Sequence, residues 1–269
     1  MLTQVYERYL RLLGIHNVPS GLEGLREIVR RHLGRAPFEN VSKLLLFARE
    51  GAGRAFTLEE FLDGMERHDL GGTCYTCNPH LAGLLRHLGY EADLRGADMT
   101  AADVHTCVRV RIDGVPYHVD CGYGGPFREP LRLDRLPHEF QEGGMRYVLD
   151  RDTRPAAYGM GVFAGSQPVH NYIVHDPPRP ADFFTPVVLK SFAPGQTFMK
   201  HLRIVKIFEE HSVELFDRNL AIHRGGRTSQ TELKNLREWK DAVADELAMP
   251  RCPVEAVLDL LPALAAGLC

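Results

Sequence analysis

Hydrophobic positions in the first 90 or so residues recur at helical spacing. Val5, Tyr9, Leu12 and Leu13 form one stripe. Leu22, Leu25, Val29 and Leu33 form the next, behind the capping-box pattern Ser20-Gly21-Leu22-Glu23. Thr57-Leu58-Glu59-Glu60 repeats that pattern and predicts a short helix over 57–65. Leu81, Leu84, Leu85 and Leu88 predict another over 79–88, stopped by Gly89. The middle of the chain shifts to strand patterning. Segments 108–112 and 115–121 flank Asp113-Gly114, a two-residue type I′ hairpin signal, and 145–149, 170–174, 203–208 and 212–216 read as further strands. Pro177-Pro178-Arg179-Pro180 reads as a surface connector and boundary crossing. Leu233, Leu236, Val243 and Leu247 return to helical spacing, and 254–268 predicts a last helix.

The hairpin can be read residue by residue. With Asp113-Gly114 as its turn, Ile112 faces Val115, Val110 faces Tyr117 and Val108 faces Val119, so this apolar face packs into a core. The opposite face carries His105, Cys107, Arg109 and Arg111, with Pro116, His118 and Asp120. In that register Asp120 lies opposite Cys107 and diagonal to His105, about 7–8 Å away at the backbone, a span that an imidazole and a carboxylate can close. A carboxylate on one ring nitrogen sets the tautomer and leaves the other as a base. The plain alternative is a solvated pair on an exposed sheet face. His118 is a second possible partner, but it sits beside Arg109.

A nucleophile would give the pair a purpose, and the chain has six cysteines. Its 269 residues are 44% hydrophobic with a net charge of −3, which leaves no electrostatic footprint for nucleic acid. No apolar stretch is long enough to span a membrane. Glu7, Arg8 and Arg11 interrupt any signal-peptide core, so the expectation is a cytoplasmic protein with reduced thiols. Cys74 stands out. Gly71-Gly72 lets the backbone turn sharply ahead of it, and a thiol near a helix start has its thiolate favoured by the dipole and by free N–H groups. Those groups can also hold a developing oxyanion. Cys77 competes, because Asn78 as cap and Pro79 as first helical residue would put it nearer the helix start. Cys107, Cys121, Cys252 and Cys269 lack such a turn. Cys74-x-x-Cys77 would also permit zinc, with Cys107, Cys121 or His118, or a redox dithiol. A second Cys-x-x-Cys and a preceding strand are missing, so no metal is expected.

Four segments in order resemble the arylamine N-acetyltransferase family: Ala36-Pro37-Phe38-Glu39-Asn40-Val41; Gly71-Gly72-Thr73-Cys74-Tyr75 with Asn78; His105; and Val119-Asp120-Cys121-Gly122-Tyr123-Gly124-Gly125, followed by Glu129-Pro130-Leu131-Arg132-Leu133. The resemblance runs through most of the chain. It implies an α+β fold with a cysteine-protease-like triad arrangement: an N-terminal helical bundle over 1–90, a central β-barrel over 91–190 and a C-terminal α/β lid over 191–269. It also implies ping-pong acetyl transfer from acetyl-coenzyme A through a Cys74 thioester, with His105 and Asp120, to an arylamine, arylhydroxylamine or hydrazine. By the same resemblance Phe38, Phe127 and Phe198 lie near the acceptor and Gly124-Gly125 near coenzyme A.

Two departures stand out. Leu70 and Leu12 occupy positions where the family usually has arginine, while Glu39 remains. A buried Glu39 without those partners should be protonated, re-paired or solvated. The change keeps open a related acyltransferase or amide synthase that takes its acyl group from a carrier protein. A non-catalytic scaffold on the same fold is the reading from a different class.

Overall fold

The structure, a computed structural model, describes residues 2–154 and 157–268; Cys269 lies outside them. Five helices open the chain: α1 (Leu2–Leu12), α2 (Gly21–Arg35), α3 (Val41–Glu50), α4 (Leu58–His68) and α5 (Cys74–His87). Helices α1, α2, α4 and α5 bury Tyr9, Leu25, Ile28, Val29, Phe61, Leu62, Leu81 and Leu85 in one core, while α3 puts Val41 and Leu44 into another. The Thr57 capping box forms as its sequence predicts, with the hydroxyl accepting from Glu60 N at 3.2 Å and the Glu60 carboxylate accepting from Thr57 N at 2.9 Å. The Ser20 box does not form; Glu23 lies 3.5 Å from Arg26 instead. Helix α3 went unread because Leu44-Leu45-Leu46-Phe47 is a continuous apolar run, which shows no single face.

Two antiparallel sheets follow. The larger has eight strands: β2 (Glu91–Asp98), β3 (His105–Ile112), β4 (Val115–Val119), β5 (Leu131–Arg132), β6 (His138–Glu142), β7 (Met145–Arg151), β8 (Tyr158–Ala164) and β9 (Gln167–Pro178). Their order is β5-β4-β3-β2-β9-β8-β7-β6. The edge strands approach one another, and a His138 ring nitrogen lies 2.6 Å from the Arg132 carbonyl, so the sheet curls into a nearly closed barrel. Strand β2 escaped sequence reading because Glu91-Ala-Asp-Leu-Arg-Gly-Ala-Asp has neither β-branched residues nor clean alternation; its position between β3 and β9 makes it a strand.

The hairpin register matches the reading: Ile112 pairs Val115, Val110 pairs Tyr117 and Val108 pairs Val119. Asp113 and Gly114 both have positive φ, 49° and 79°, as a type I′ turn requires. Two details differ. Pairing ends at Val119, so Asp120 stands just beyond the ladder. The second face is enclosed by the barrel at the end away from the turn, where Cys107 is fully buried and His105, His118 and Asp120 nearly so; Arg109, Arg111 and Pro116 nearer the turn stay partly exposed.

The smaller sheet runs β1 (Phe38–Glu39), β10 (Arg203–Ile207), β11 (His211–Phe216), β12 (Asn219–Arg224), β13 (Arg227–Glu232), with Phe38 paired to Val205. The Pro177–Pro180 segment is largely exposed, yet it is no free connector. Pro178 pairs with Arg95, and Arg179 N donates to Leu94 O at 2.9 Å. The chain end is not one helix. A 3-10 turn over Val254–Leu260 gives way to Pro262–Ala266, since Pro262 has no N–H to continue it. Among the described residues no helix is long and apolar enough to cross a membrane.

Candidate active site

Cys74 is the first residue of α5, five positions ahead of the start that Pro79 suggested. Thr73 is the N-cap, and its carbonyl accepts from Thr76 N and Cys77 N at 2.9 and 3.0 Å. The double glycine is required by space and by backbone. A Cβ on Gly71 would lie 2.1 Å from Pro37 O, and Gly72 has φ of +152° with Thr76 packed against it. Cys77 is fully buried and its thiol donates to Gly72 O at 3.5 Å. Burial pushes the Cys77 pKa well up, as it does for Cys107 and Cys121. Cys74 is less deeply buried, with 7% of the residue exposed.

His105, at the start of β3, and Asp120, just past β4, converge on that sulfur. His105 Nε2 donates to Asp120 Oδ2 at 2.7 Å, and the ring is near enough to Cys74 for the thiol to favour its protonated form. With Nε2 engaged, Nδ1 is the nitrogen left for sulfur. Burial alone would lower the His105 pKa; the charge and hydrogen bond of Asp120, with those of Cys74, outweigh it and carry it up to about 10. Burial likewise opposes ionisation of Asp120. The charge and hydrogen bond of His105, with His118 and Asn78, hold its pKa below the usual carboxylate value.

Asp120 accepts four hydrogen bonds. Oδ1 takes Asn78 Nδ2 and Gly122 N, each at 3.0 Å; Oδ2 takes His105 and the Tyr172 hydroxyl at 3.0 Å. In the sequence Asn78 reads as a helix cap and as part of the family-like segment around Cys74. It is instead a buried clasp, also bonding Thr106 O at 2.5 Å and Cys121 N at 3.0 Å. The signal for it lay in its spacing, since Cys74 and Asn78 are four apart and share a helix face. Thr106 Oγ1 donates to Cys74 O at 2.9 Å, closing the clasp from the strand side. Tyr172 gave no local signal, because fifty-odd residues of strand and turn bring it back.

Phe38 and Phe198 meet edge to face, 5.6 Å apart, with the Arg203 guanidinium 5.4 Å from the Phe38 ring. Gly124 packs under Phe38 and Gly125 beside Phe127. Phe127 is 3% exposed in the barrel core; it reaches the site through Tyr123, whose ring is 5.4 Å from it and 5.6 Å from His105. Glu39 has been re-paired. It accepts from Ser42 N at 2.8 Å and Gly71 N at 3.3 Å, linking the start of α3 to the nucleophile loop, and burial raises its pKa. Leu12 and Leu70 now belong to separate apolar clusters.

A family model described as N-acetyltransferase matches residues 21–250. The arylamine N-acetyltransferase of Mycolicibacterium smegmatis is 27% identical over 254 residues, 90% of each chain. Arylamine N-acetyltransferase 2 of Mus musculus is 30% identical over 139 residues, 47% of this chain and 46% of that one. The structure of Mycobacterium marinum arylamine N-acetyltransferase in complex with CoA has the same fold, with a TM-score of 0.81 at 24% identity, covering 98% of this chain and 100% of that one. The M. smegmatis arylamine N-acetyl transferase structure matches with a TM-score of 0.79 at 25% identity over 97% of each chain. A sequence match through most of the chain, joined to a shared fold along nearly its whole length, means that the chain belongs to the arylamine N-acetyltransferase family of acyltransferases.

Proposed function

We propose that the protein transfers an acetyl group from acetyl-coenzyme A, through a thioester on Cys74, to the nitrogen of an arylamine, arylhydroxylamine or hydrazine. The buried His105–Asp120 bond of 2.7 Å, beside a thiol at a helix start, is the observation that carries this reading. Cys74 gives its proton to His105 and attacks the thioester carbonyl. The bond from that carbon to the coenzyme A sulfur breaks, and the leaving sulfur takes the proton from His105. An amine then attacks the acetyl-cysteine, loses a proton to His105, and Cys74 is regenerated. A soft thiolate exchanges readily with a thioester, and two easier steps replace one.

The N–H groups of Cys74 and Tyr75 have no bonded acceptor among the described residues, because the first turn leaves them free. They suit the developing oxyanion. Phe38 and Phe198 form the acceptor wall in this reading, with Phe127 behind Tyr123, and Gly124-Gly125 leave room for the donor. The CoA complex of the M. marinum relative supports that donor.

Incubation with acetyl-coenzyme A should add about 42 Da to Cys74, and an arylamine should remove it. A chain that takes no acetyl group from acetyl-coenzyme A at any pH would end this reading.

A further inference from the structure

His118 is a buried histidine that the proposed chemistry does not use. It lies on β4, its backbone paired with Arg109 on β3 and Leu131 on β5. Both ring nitrogens are bonded: Nε2 is 2.9 Å from the Tyr172 hydroxyl and Nδ1 is 3.2 Å from the Tyr158 hydroxyl. Tyr172 in turn donates to Asp120 Oδ2, and Tyr158 stands beside Cys107. None of His118, Tyr172, Tyr158 and Cys107 is more than 7% exposed, so water is no ready substitute for any partner.

Counting protons gives this chain a direction. A carboxylate only accepts, so the single Tyr172 proton goes to Asp120. The Tyr172 oxygen must then accept from His118 Nε2–H. A neutral imidazole has one N–H, so Nδ1 is bare and accepts from Tyr158. The ring is neutral because burial presses its pKa down to about 4, with the Asp120 charge opposing and His105 assisting. Around it stand Asp120 and His105, Tyr172 on β9, Tyr158 on β8, and Cys107 and Arg109 on β3.

We infer that His118 is a positioning residue: its fixed Nε2–H tautomer keeps the Tyr172 proton on Asp120, and so sets the carboxylate that orients His105. This rests on the reading of Cys74, His105 and Asp120 as the working groups. Oriented neutral dipoles that end on a buried anion strengthen one another, and a phenol without the His118 donor is free to rotate away.

The test is iodoacetamide alkylation of the full chain, resolved at Cys74 by peptide mass, from about pH 5 to 10, the range in which cysteine and histidine titrate. Thermal unfolding and acetylation by acetyl-coenzyme A are followed on the same samples. His118→Phe should slow Cys74 alkylation at neutral pH about tenfold and move the rise of the profile to higher pH, because a looser Asp120 holds the imidazolium less well. His118→Gln, whose amide can still donate toward Tyr172, should recover most of that loss. A lower unfolding temperature with the profile unmoved would overturn the inference, and so would a Gln variant no better than Phe. Should His118→Phe fail to fold, Tyr158→Phe removes the hydroxyl that donates to Nδ1; a smaller shift in the same direction is expected, and no shift overturns the inference. Wild-type chain that is acetylated while the variant profiles stay put refutes only the role of His118. Wild-type chain that is never acetylated refutes the acetyl-transfer reading, whatever the profiles do.

Discussion

Asn78 donates to Asp120 at 3.0 Å from one helical turn past Cys74, so the helix that carries the thiol is tied to the carboxylate that orients the imidazole. The same side chain bonds Thr106 O and Cys121 N. Asn78→Ala takes a partner from Thr106 O and Cys121 N, while Asp120 Oδ1 keeps Gly122 N, and should cost about 3 kcal/mol of stability. Acetylation should slow even in the folded fraction. Urea unfolding and single-turnover acetylation measure the two separately.

Cys74→Ala should abolish acetylation, while Cys77→Ala should keep it. The Cys77 thiol is fully buried and spent on Gly72 O, so its loss costs packing and one weak bond. Intact mass after acetyl-coenzyme A separates the two variants; an acetyl group on the Cys74→Ala protein would be the contrary result.

Asp120→Asn should lower turnover on the order of 10⁴-fold, far beyond its effect on folding. Oδ1 can still accept from Asn78 and Gly122. The new amide, however, points a donor at His105 Nε2, which turns the ring to the tautomer with its proton facing sulfur. Turnover set beside the unfolding midpoint decides the matter, and parallel losses in both would make Asp120 a structural residue.

Gly122 is held by space. A Cβ there would lie 2.6 Å from Cys74 Cα and 2.7 Å from Asn78 Nδ2. Gly122→Ala should therefore fold with the nucleophile displaced, costing on the order of 100-fold in acetylation rate. Comparison of near-ultraviolet spectra and rate distinguishes displacement from unfolding.

Acid stability should depend on His32. It is fully buried beside Tyr9 and Phe61, with neither ring nitrogen partnered among the described residues. Burial, with His80, lowers its pKa to about 3. A histidine with a depressed pKa takes up its proton more readily when unfolded, so stability falls as pH drops below about 6.5 and keeps falling to about 3. His105 has the opposite sign. Its pKa is raised to about 10, so its contribution is complete below about 6.5 and is lost as pH rises through about 10. His32→Phe should move the acid midpoint of helix signal to lower pH and leave the alkaline limb in place.

Local pattern made part of this protein legible before any coordinates. The alternation around Asp113-Gly114 dictates the hairpin register, because a slip of one residue would turn Val108, Val110 and Val119 out of the core. The Thr57 box and the double glycine before Cys74 carry their own backbone chemistry. Strand β2 and helix α3 were hidden, since the one lacks β-branched residues and clean alternation and the other carries an unbroken apolar run.

By itself the sequence determined which residues could do the chemistry: a thiol after Gly71-Gly72, and a histidine and an aspartate on two strands of one hairpin. Only the tertiary structure decided that the second hairpin face is enclosed at the end away from the turn and that α5 begins at Cys74. It alone brought Asn78 and Tyr172 to Asp120, and set Tyr172 between Asp120 and His118. Spacing along a chain specifies neighbours within a helix or a strand. Whether a buried carboxylate finds enough donors depends on side chains that packing brings in from far away along the chain.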